Sequence, residues 1–113
     1  MNTKKIREKL MKGLLELVVL QLIERGCNYG YKIIVEIRKV FGANFGPSTI
    51  YPLLNSLEDD GYLISNWDTS SLRPKKIYRL SEDGEKLLKS TENSLVIIYR
   101  KLGLENDVLE VVI

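Results

Sequence analysis

The sequence predicts a mainly α-helical fold carrying one small β-hairpin. Two observations carry that reading. Apolar residues recur at helical spacing in four segments, and between the third and fourth the pattern switches to two short β-branched and aromatic runs split by turn formers. The 113 residues hold no internal repeat and no low-complexity segment, which suits one domain with a trailing element. With 44% hydrophobic and 28% charged residues the composition is that of an ordinary globular protein. A core this small is marginal by itself and would gain from dimerisation.

The first helix is expected from about Lys5 to Glu24. Leu10, Leu14, Leu17, Val18 and Leu22 make one face, and Leu15, Val19, Leu20 and Ile23 widen it until the second half is apolar nearly all round. Such a helix is buried against its own core and against a further surface. Arg25-Gly26-Cys27-Asn28 reads as a stop and turn. A second helix follows from Tyr29 or Gly30 to Phe41, with Asn28 placed to cap it. Gly30, Ile34, Ile37 and Phe41 share one face, flanked by Ile33 and Val40, while Lys32, Glu36 and Lys39 lie opposite. Gly42 to Pro47 is a loop.

The stretch from Gly46 to Tyr62 predicts a helix with two faces. Ile50, Leu53, Leu54 and Leu57 form a buried stripe, and Ser48, Thr49, Tyr51, Asn55 and Ser56 lie off it. Ser48 is the expected N-cap and Gly61 the stop. Pro52 falls early enough to distort the helix locally without breaking it. Tyr62 to Trp67 and Lys75 to Leu80 read as strands joined by the turn Asp68 to Pro74, a hairpin with a polar, basic tip. Ser81 caps a last helix, favoured by Glu82 and Asp83 in its first turn. Its stripe is Leu87, Thr91, Leu95, Ile98 and Leu102, flanked by Leu88 and Tyr99, and Gly103 stops it. The tail Leu104 to Ile113 is half apolar and suits a short helix or a strand-like end. Three compact helices followed by a hairpin make a winged helix-turn-helix plan over residues 1–80, with a long helix and tail over 81–113.

Net charge is +2, so distribution says more than bulk. Lys4, Lys5, Arg7, Lys9 and Lys12 crowd the N-terminus, and Arg73, Lys75, Lys76 and Arg79 form a second basic cluster. Cys27 is the single cysteine, which rules out an intramolecular disulfide and suits a reduced compartment. No run reaches the length of a membrane helix, and Glu16 interrupts the apolar segment after the basic N-terminus, so neither a membrane partner nor a signal peptide is expected and the predicted location is cytoplasmic. Histidine is absent, and no nucleophile–base pair, phosphate loop or metal cluster is identifiable. Neither an enzyme nor a cofactor is expected.

From Gly13 to about Leu88 the chain resembles the PadR-like transcriptional regulators. The resemblance rests on Leu14-Leu15, Tyr29-Gly30-Tyr31, Ser48 with Ile50-Tyr51-Pro52, Leu57-Glu58 and Gly61-Tyr62-Leu63-Ile64. Trp67, Arg73-Pro74-Lys75-Lys76 with Tyr78, and Leu80-Ser81 with Gly84 complete it. The single long helix after it is similar to the short C-terminal version of that family. The resemblance implies a homodimeric regulator or repressor of transcription, with the third helix in the major groove of double-stranded DNA, the wing on neighbouring backbone or minor groove, and the last helix with the first at the dimer interface. Two positions depart from the pattern. Tyr29 stands where the family has His, and Leu72 stands where it has Gly before the wing's Arg-Pro, which puts the wing contacts at issue.

The expected DNA-contacting residues are therefore Ser48, Thr49, Tyr51 and Asn55 on the reading helix, Lys32 on the second helix, and Arg73, Lys75 and Lys76 on the wing. Hydroxyls suit phosphates, and asparagine can pair twice with adenine. The reading helix presents no arginine, so a bidentate guanine contact is not expected from it and DNA shape gains weight. The bland counterpart is a capped helix with a solvated face and a solvated loop. Tyr31 and Trp67 are expected in the core, although Tyr31 could also donate to a phosphate and Trp67 could also line an effector pocket, and Cys27 is read as an inert thiol. Leu10, Leu14, Leu87, Leu88, Thr91, Leu95, Ile98, Tyr99 and Leu102 are expected at the dimer interface. A small-molecule effector there would change the separation of the two reading helices, and the sequence does not identify it. The competing function is a winged-helix module used only for protein–protein contact, since fold does not fix function.

Overall fold

The computed structural model describes residues 2–105. In chain order it contains α1 (Thr3–Lys12), α2 (Leu15–Glu24), α3 (Gly30–Phe41), α4 (Pro47–Asp59), β1 (Leu63–Asp68), β2 (Lys75–Leu80) and α5 (Glu82–Lys101). The strands pair antiparallel, with Leu63 opposite Leu80 and Asp68 opposite Lys75. Val19, Leu20, Ile33, Ile37, Ile50 and Leu54 are fully buried where α2, α3 and α4 meet, and Leu63, Tyr78 and Leu88 extend this core under the hairpin and α5. The mainly α fold with one hairpin is as the sequence predicts.

Three local expectations change. The single first helix is two, broken at Gly13 and Leu14, where Leu14 takes φ −109° and ψ 0°. Glycine is a poor helix former, and at this break the chain turns so that α1 can reach the end of α3. There Arg7 Nη1 donates to the Phe41 carbonyl at 3.4 Å and the Asn44 amide donates to Glu8 Oε2 at 2.8 Å. The cap of α4 is Gly46 rather than Ser48, because Pro47 takes the first helical position, which needs no amide donor. Pro52, as expected, sits inside α4 without ending it, and it lacks the amide that would bond the Ser48 carbonyl one turn earlier. Asn28 does not cap α3. The cap position is Tyr29, which makes no side-chain bond, and the Asn28 carbonyl instead accepts the Tyr78 amide at 2.9 Å.

The last helix begins as expected. Ser81 Oγ accepts the Gly84 amide at 3.0 Å, with Glu82, Asp83 and Glu85 in the first turn. Gly84 is there because nothing larger fits: a Cβ would stand 2.0 Å from the Tyr62 carbonyl oxygen. The helix thus starts pressed against the foot of the hairpin. The tail residues 106–113, for which a short helix or strand is predicted, lie outside the described residues.

Candidate nucleic-acid interface

Helix α4, the expected reading helix, is held from behind by Ile50, Leu54 and Leu57, all buried. Its front exposes Ser48, Thr49, Tyr51, Pro52, Asn55 and Ser56. Tyr51 is positioned by a close approach. A Cβ on Gly30 would lie 2.4 Å from Tyr51 Cε1 and 2.9 Å from its hydroxyl oxygen, so only glycine at the start of α3 lets this ring lie down there. The ring stays 42% exposed, placed yet accessible.

The wing is fastened by four contacts, two to the turn before α3 and two to α4. The Tyr78 amide bonds the Asn28 carbonyl. The Lys75 ammonium lies 4.6 Å from the centroid of the Tyr29 ring, within cation–π range. Lys76 Nζ donates to Glu58 Oε1 at 2.8 Å, and the Ser65 hydroxyl donates to the other oxygen of the same carboxylate. The Lys76 bond, then the Ser65 bond, hold the Glu58 carboxyl below the usual range, and Glu58 in turn raises Lys76. At the wing tip the Ser70 amide and hydroxyl both donate to Asp68 Oδ1, at 3.0 and 2.6 Å, closing the turn. Leu72 projects fully into solvent there.

Between α4 and the wing lies a concavity of about 690 Å³. Of the predicted DNA contacts, Tyr51, Asn55, Arg73, Lys75 and Lys76 line it together. Ser48 and Thr49 are exposed at the N-terminal end of α4 and do not line it. Neither does Lys32, which is exposed beside a smaller depression with Cys27 and Glu36. Lys76, expected on a phosphate, has its ammonium on Glu58, because that carboxylate lies within reach on the inner side of the hairpin.

Two aromatic residues expected in the core are not there. Tyr31 is 67% exposed and Trp67 is 65% exposed, and both line the concavity. Helical spacing held a signal for Tyr31, which falls off the buried stripe of Ile33 and Ile37. In β1 only Leu63 is buried, so burial ends well before Trp67. Cys27 is buried, and that burial pushes its thiol up, while Lys32 acts against the shift and Glu36 with it.

The predicted dimer stripe divides in two. Leu88 is buried in the protomer's own core, and Leu14, Leu87 and Leu95 pack partly against it. Leu88 is therefore corrected from interface to core, because the first turns of α5 lie on α2, where Gln21 Nε2 also donates to Glu92 Oε2 at 2.8 Å. The Thr91 hydroxyl turns back to donate to the Leu87 carbonyl, and the Tyr99 hydroxyl donates to the Leu104 carbonyl. Beyond Leu95 the apolar side chains lie open. Val96, Ile97, Ile98 and Leu102 are exposed, as are Leu10 and Ile6 on α1. Val96 and Ile97 join this surface without having been predicted in it.

No helix of the described residues is long and apolar enough to cross a membrane. Among those residues, no group of three or more His, Cys, Asp or Glu is placed to hold a metal ion.

Comparison with known proteins gives a consistent result. The model of the transcriptional regulator PadR-like family matches residues 19–90. A PadR family transcriptional regulator from Eggerthella lenta superposes with a TM-score of 0.75 at 29% identity, covering 84% of this chain and 83% of that one. A Streptococcus transcriptional regulator gives 0.73 at 28% identity, over 83% and 93%. The transcriptional activator GvpE of Haloferax mediterranei is 36% identical over 67 residues, which is 59% of this chain and 33% of that protein. The chain thus spans about a third of the length of the curated relatives it matches.

Proposed function

Given that the chain belongs to the PadR-like family of transcriptional regulators, we propose that it binds double-stranded DNA as a homodimer and represses transcription by occupying its operator. The observation that carries this is the pairing of an exposed, uncharged reading face on α4 with a basic wing across one concavity. The division of labour follows from the residue types. Asn55 and Tyr51 offer hydrogen bonds at the depth of the groove, and Ser48 and Thr49 offer hydroxyls and the helix start to phosphates. Arg73 and Lys75 supply charge, with Lys32 on the flank. This reading face carries too few cations to hold DNA through α4 alone, so the wing contributes much of the affinity.

Residues 1–80 form the reading unit in this proposal, and the open end of α5 joins two copies. Exposed Val96, Ile97, Ile98 and Leu102 support that role, since a contiguous apolar strip is costly to leave in water. A two-fold dimer places its reading helices about 34 Å apart on a pseudo-palindromic site. The protein works in the cytoplasm, where it meets DNA. A small molecule that changes the spacing of the two copies is the mode of regulation this arrangement would use.

The test is selection of bound duplexes from genomic fragments, followed by a reporter driven by the recovered promoter. Retention of no fragment by a folded dimer at low salt refutes DNA binding and leaves the protein–protein module. GvpE is a transcriptional activator, so the reporter decides the sign. Deleting the protein raises expression if it represses and lowers expression if it activates.

A further inference from the structure

We propose that Glu58 is a positioning residue for DNA binding, a strut that sets the wing against the reading helix, and that Lys76 serves this strut rather than a phosphate. The inference rests on the DNA-binding reading above.

Glu58 is unfavourably placed unless it has such a role. It stands in the last turn of α4, where the helix dipole disfavours an acid. It also adds negative charge to the helix proposed to face phosphates. What it gains is on the hairpin. One carboxylate oxygen takes Lys76 of β2 at 2.8 Å and the other takes the Ser65 hydroxyl of β1. A single side chain of α4 thus grips both strands.

The register shows where the grip falls. Ser65 faces Tyr78 and Trp67 faces Lys76. Opposed and alternate residues share a face of a hairpin, so these four side chains lie on one side of it. Tyr78 at the inner pair is buried, and its amide is tied to Asn28. Glu58 reaches the inner pair through Ser65 and the outer pair through Lys76. The hairpin is thus fixed at its root by Tyr78 and steadied further out by Lys75 on the Tyr29 ring, and of these contacts only the Glu58 one comes from α4 itself, so it is the one that sets the angle between hairpin and reading helix. Arg73 and the tip hang beyond them. A small rotation at Glu58 moves Arg73 away from wherever Tyr51 and Asn55 set the DNA.

Both partners are about one-third exposed, 32% for Lys76 and 29% for Glu58. A pair so open to water adds little to global stability. Its effect is on the direction of the wing.

This reading and simple electrostatics predict opposite signs. Removing an acid from a DNA-facing surface should tighten all DNA binding. Loosening the strut should weaken binding to a selected site. The experiment uses the full chain, a duplex recovered by the wild-type protein from a randomised pool, and the unselected pool as reference. Glu58→Ala is expected to lose about tenfold in affinity for the selected duplex, the scale of a charge-assisted hydrogen bond, and little for the pool. Glu58→Gln keeps its carbonyl oxygen as an acceptor for Lys76 and turns its amide nitrogen to the Ser65 hydroxyl, which can accept from it, so it is expected to recover most of that loss. Lys76→Ala, alone or combined with Glu58→Ala, should lose no more than Glu58→Ala does, because the two act as one contact. A second readout needs no DNA. Trp67 is the only tryptophan and stands opposite Lys76, so its fluorescence anisotropy should fall in Glu58→Ala while the melting temperature stays close to wild type. The proposal is overturned if Glu58→Ala binds the selected duplex as tightly as wild type or tighter, if Glu58→Gln behaves like Glu58→Ala, or if the Trp67 signal does not change. If the wild-type protein recovers no duplex, the DNA-binding reading fails, and this proposal with it.

Discussion

Replacing Gly30 by alanine separates the reading face from the fold that carries it. The new methyl would stand 2.4 Å from Tyr51 Cε1 and 2.7 Å from Cζ, so the ring must leave. It can do so, because these atoms are the far end of a side chain already 42% exposed. If roughly 80 Å² of ring surface is uncovered in the process, the loss is about 2 kcal/mol at about 25 cal/mol per Å². Alanine in place of glycine at a helical position returns up to about 1 kcal/mol. The net cost of about 1 kcal/mol lowers the melting temperature by about 4–8 °C in a domain of this size. DNA binding should suffer more, since Tyr51 leaves the concavity it shares with Asn55 and Lys75. A loss of tenfold or more is expected in a fluorescence titration of labelled operator. Binding equal to wild type, with Tyr51 seen displaced, would show that this ring takes no part in recognition. A fall in melting temperature beyond 15 °C would show that the ring supports the core, and the division between fold and face would be wrong.

Further outcomes follow from the same geometry. Gly84→Ala meets a backbone carbonyl at 2.0 Å instead of a movable ring, so it should destabilise by several kcal/mol and read as a large loss in a denaturant midpoint. Ile98→Glu, on the open end of α5, should leave the protomer folded but shift sedimentation from dimer to monomer at micromolar concentration. Lys75→Ala should lower the slope of log affinity against log salt by about 1 if its ammonium leaves Tyr29 for a phosphate, and leave the slope unchanged if it does not. The Glu58 carboxyl is held below its ordinary value, first by Lys76 and then by Ser65. Its contribution is thus fully present above the ordinary glutamate range near about 4.3 and is lost as pH falls through the lower folded value. Because the pair is open to water this contribution is small, so Glu58→Gln should match wild type in stability at neutral pH within a few tenths of a kcal/mol and show only a slightly shallower fall below pH of about 4.

The four long apolar stripes were legible because each is a local period; α3 and β2 span the residues that period marks, and α5 also starts after its expected cap, Ser81. The break at Gly13 was hidden for the same reason. Leu10, Leu14 and Leu17 keep helical spacing straight through it, and periodicity is blind to a kink that preserves it. The stripe on α5 raised a different difficulty. It runs unbroken from Leu87 to Leu102, but the protomer covers only its first half, and where coverage stops depends on how far α2 extends alongside it. Of the candidate interface, the exposed set Ser48, Thr49, Tyr51 and Asn55 came from lying off the buried stripe of α4. The Glu58–Lys76 pair did not, since eighteen residues separate its members and only the fold of the hairpin brings them together. A glutamate one turn after Leu54 and next to Leu57 was the faint local sign that its side chain lies near the packed face.

The close approach of Gly84 to Tyr62 makes α5 a lever with its pivot at the foot of the wing. From Gly84 to Ile98 the helix reaches about 21 Å at 1.5 Å per residue. A tilt of about 10° at the pivot carries the far end through roughly 3.6 Å, close to the 3.4 Å that separates neighbouring base pairs on one strand. In a two-fold dimer joined at those far ends, half that tilt in each copy would set the two reading faces about one base pair closer or further apart. The choice between two operator spacings can then rest on a few degrees at one glycine, with neither reading helix changed.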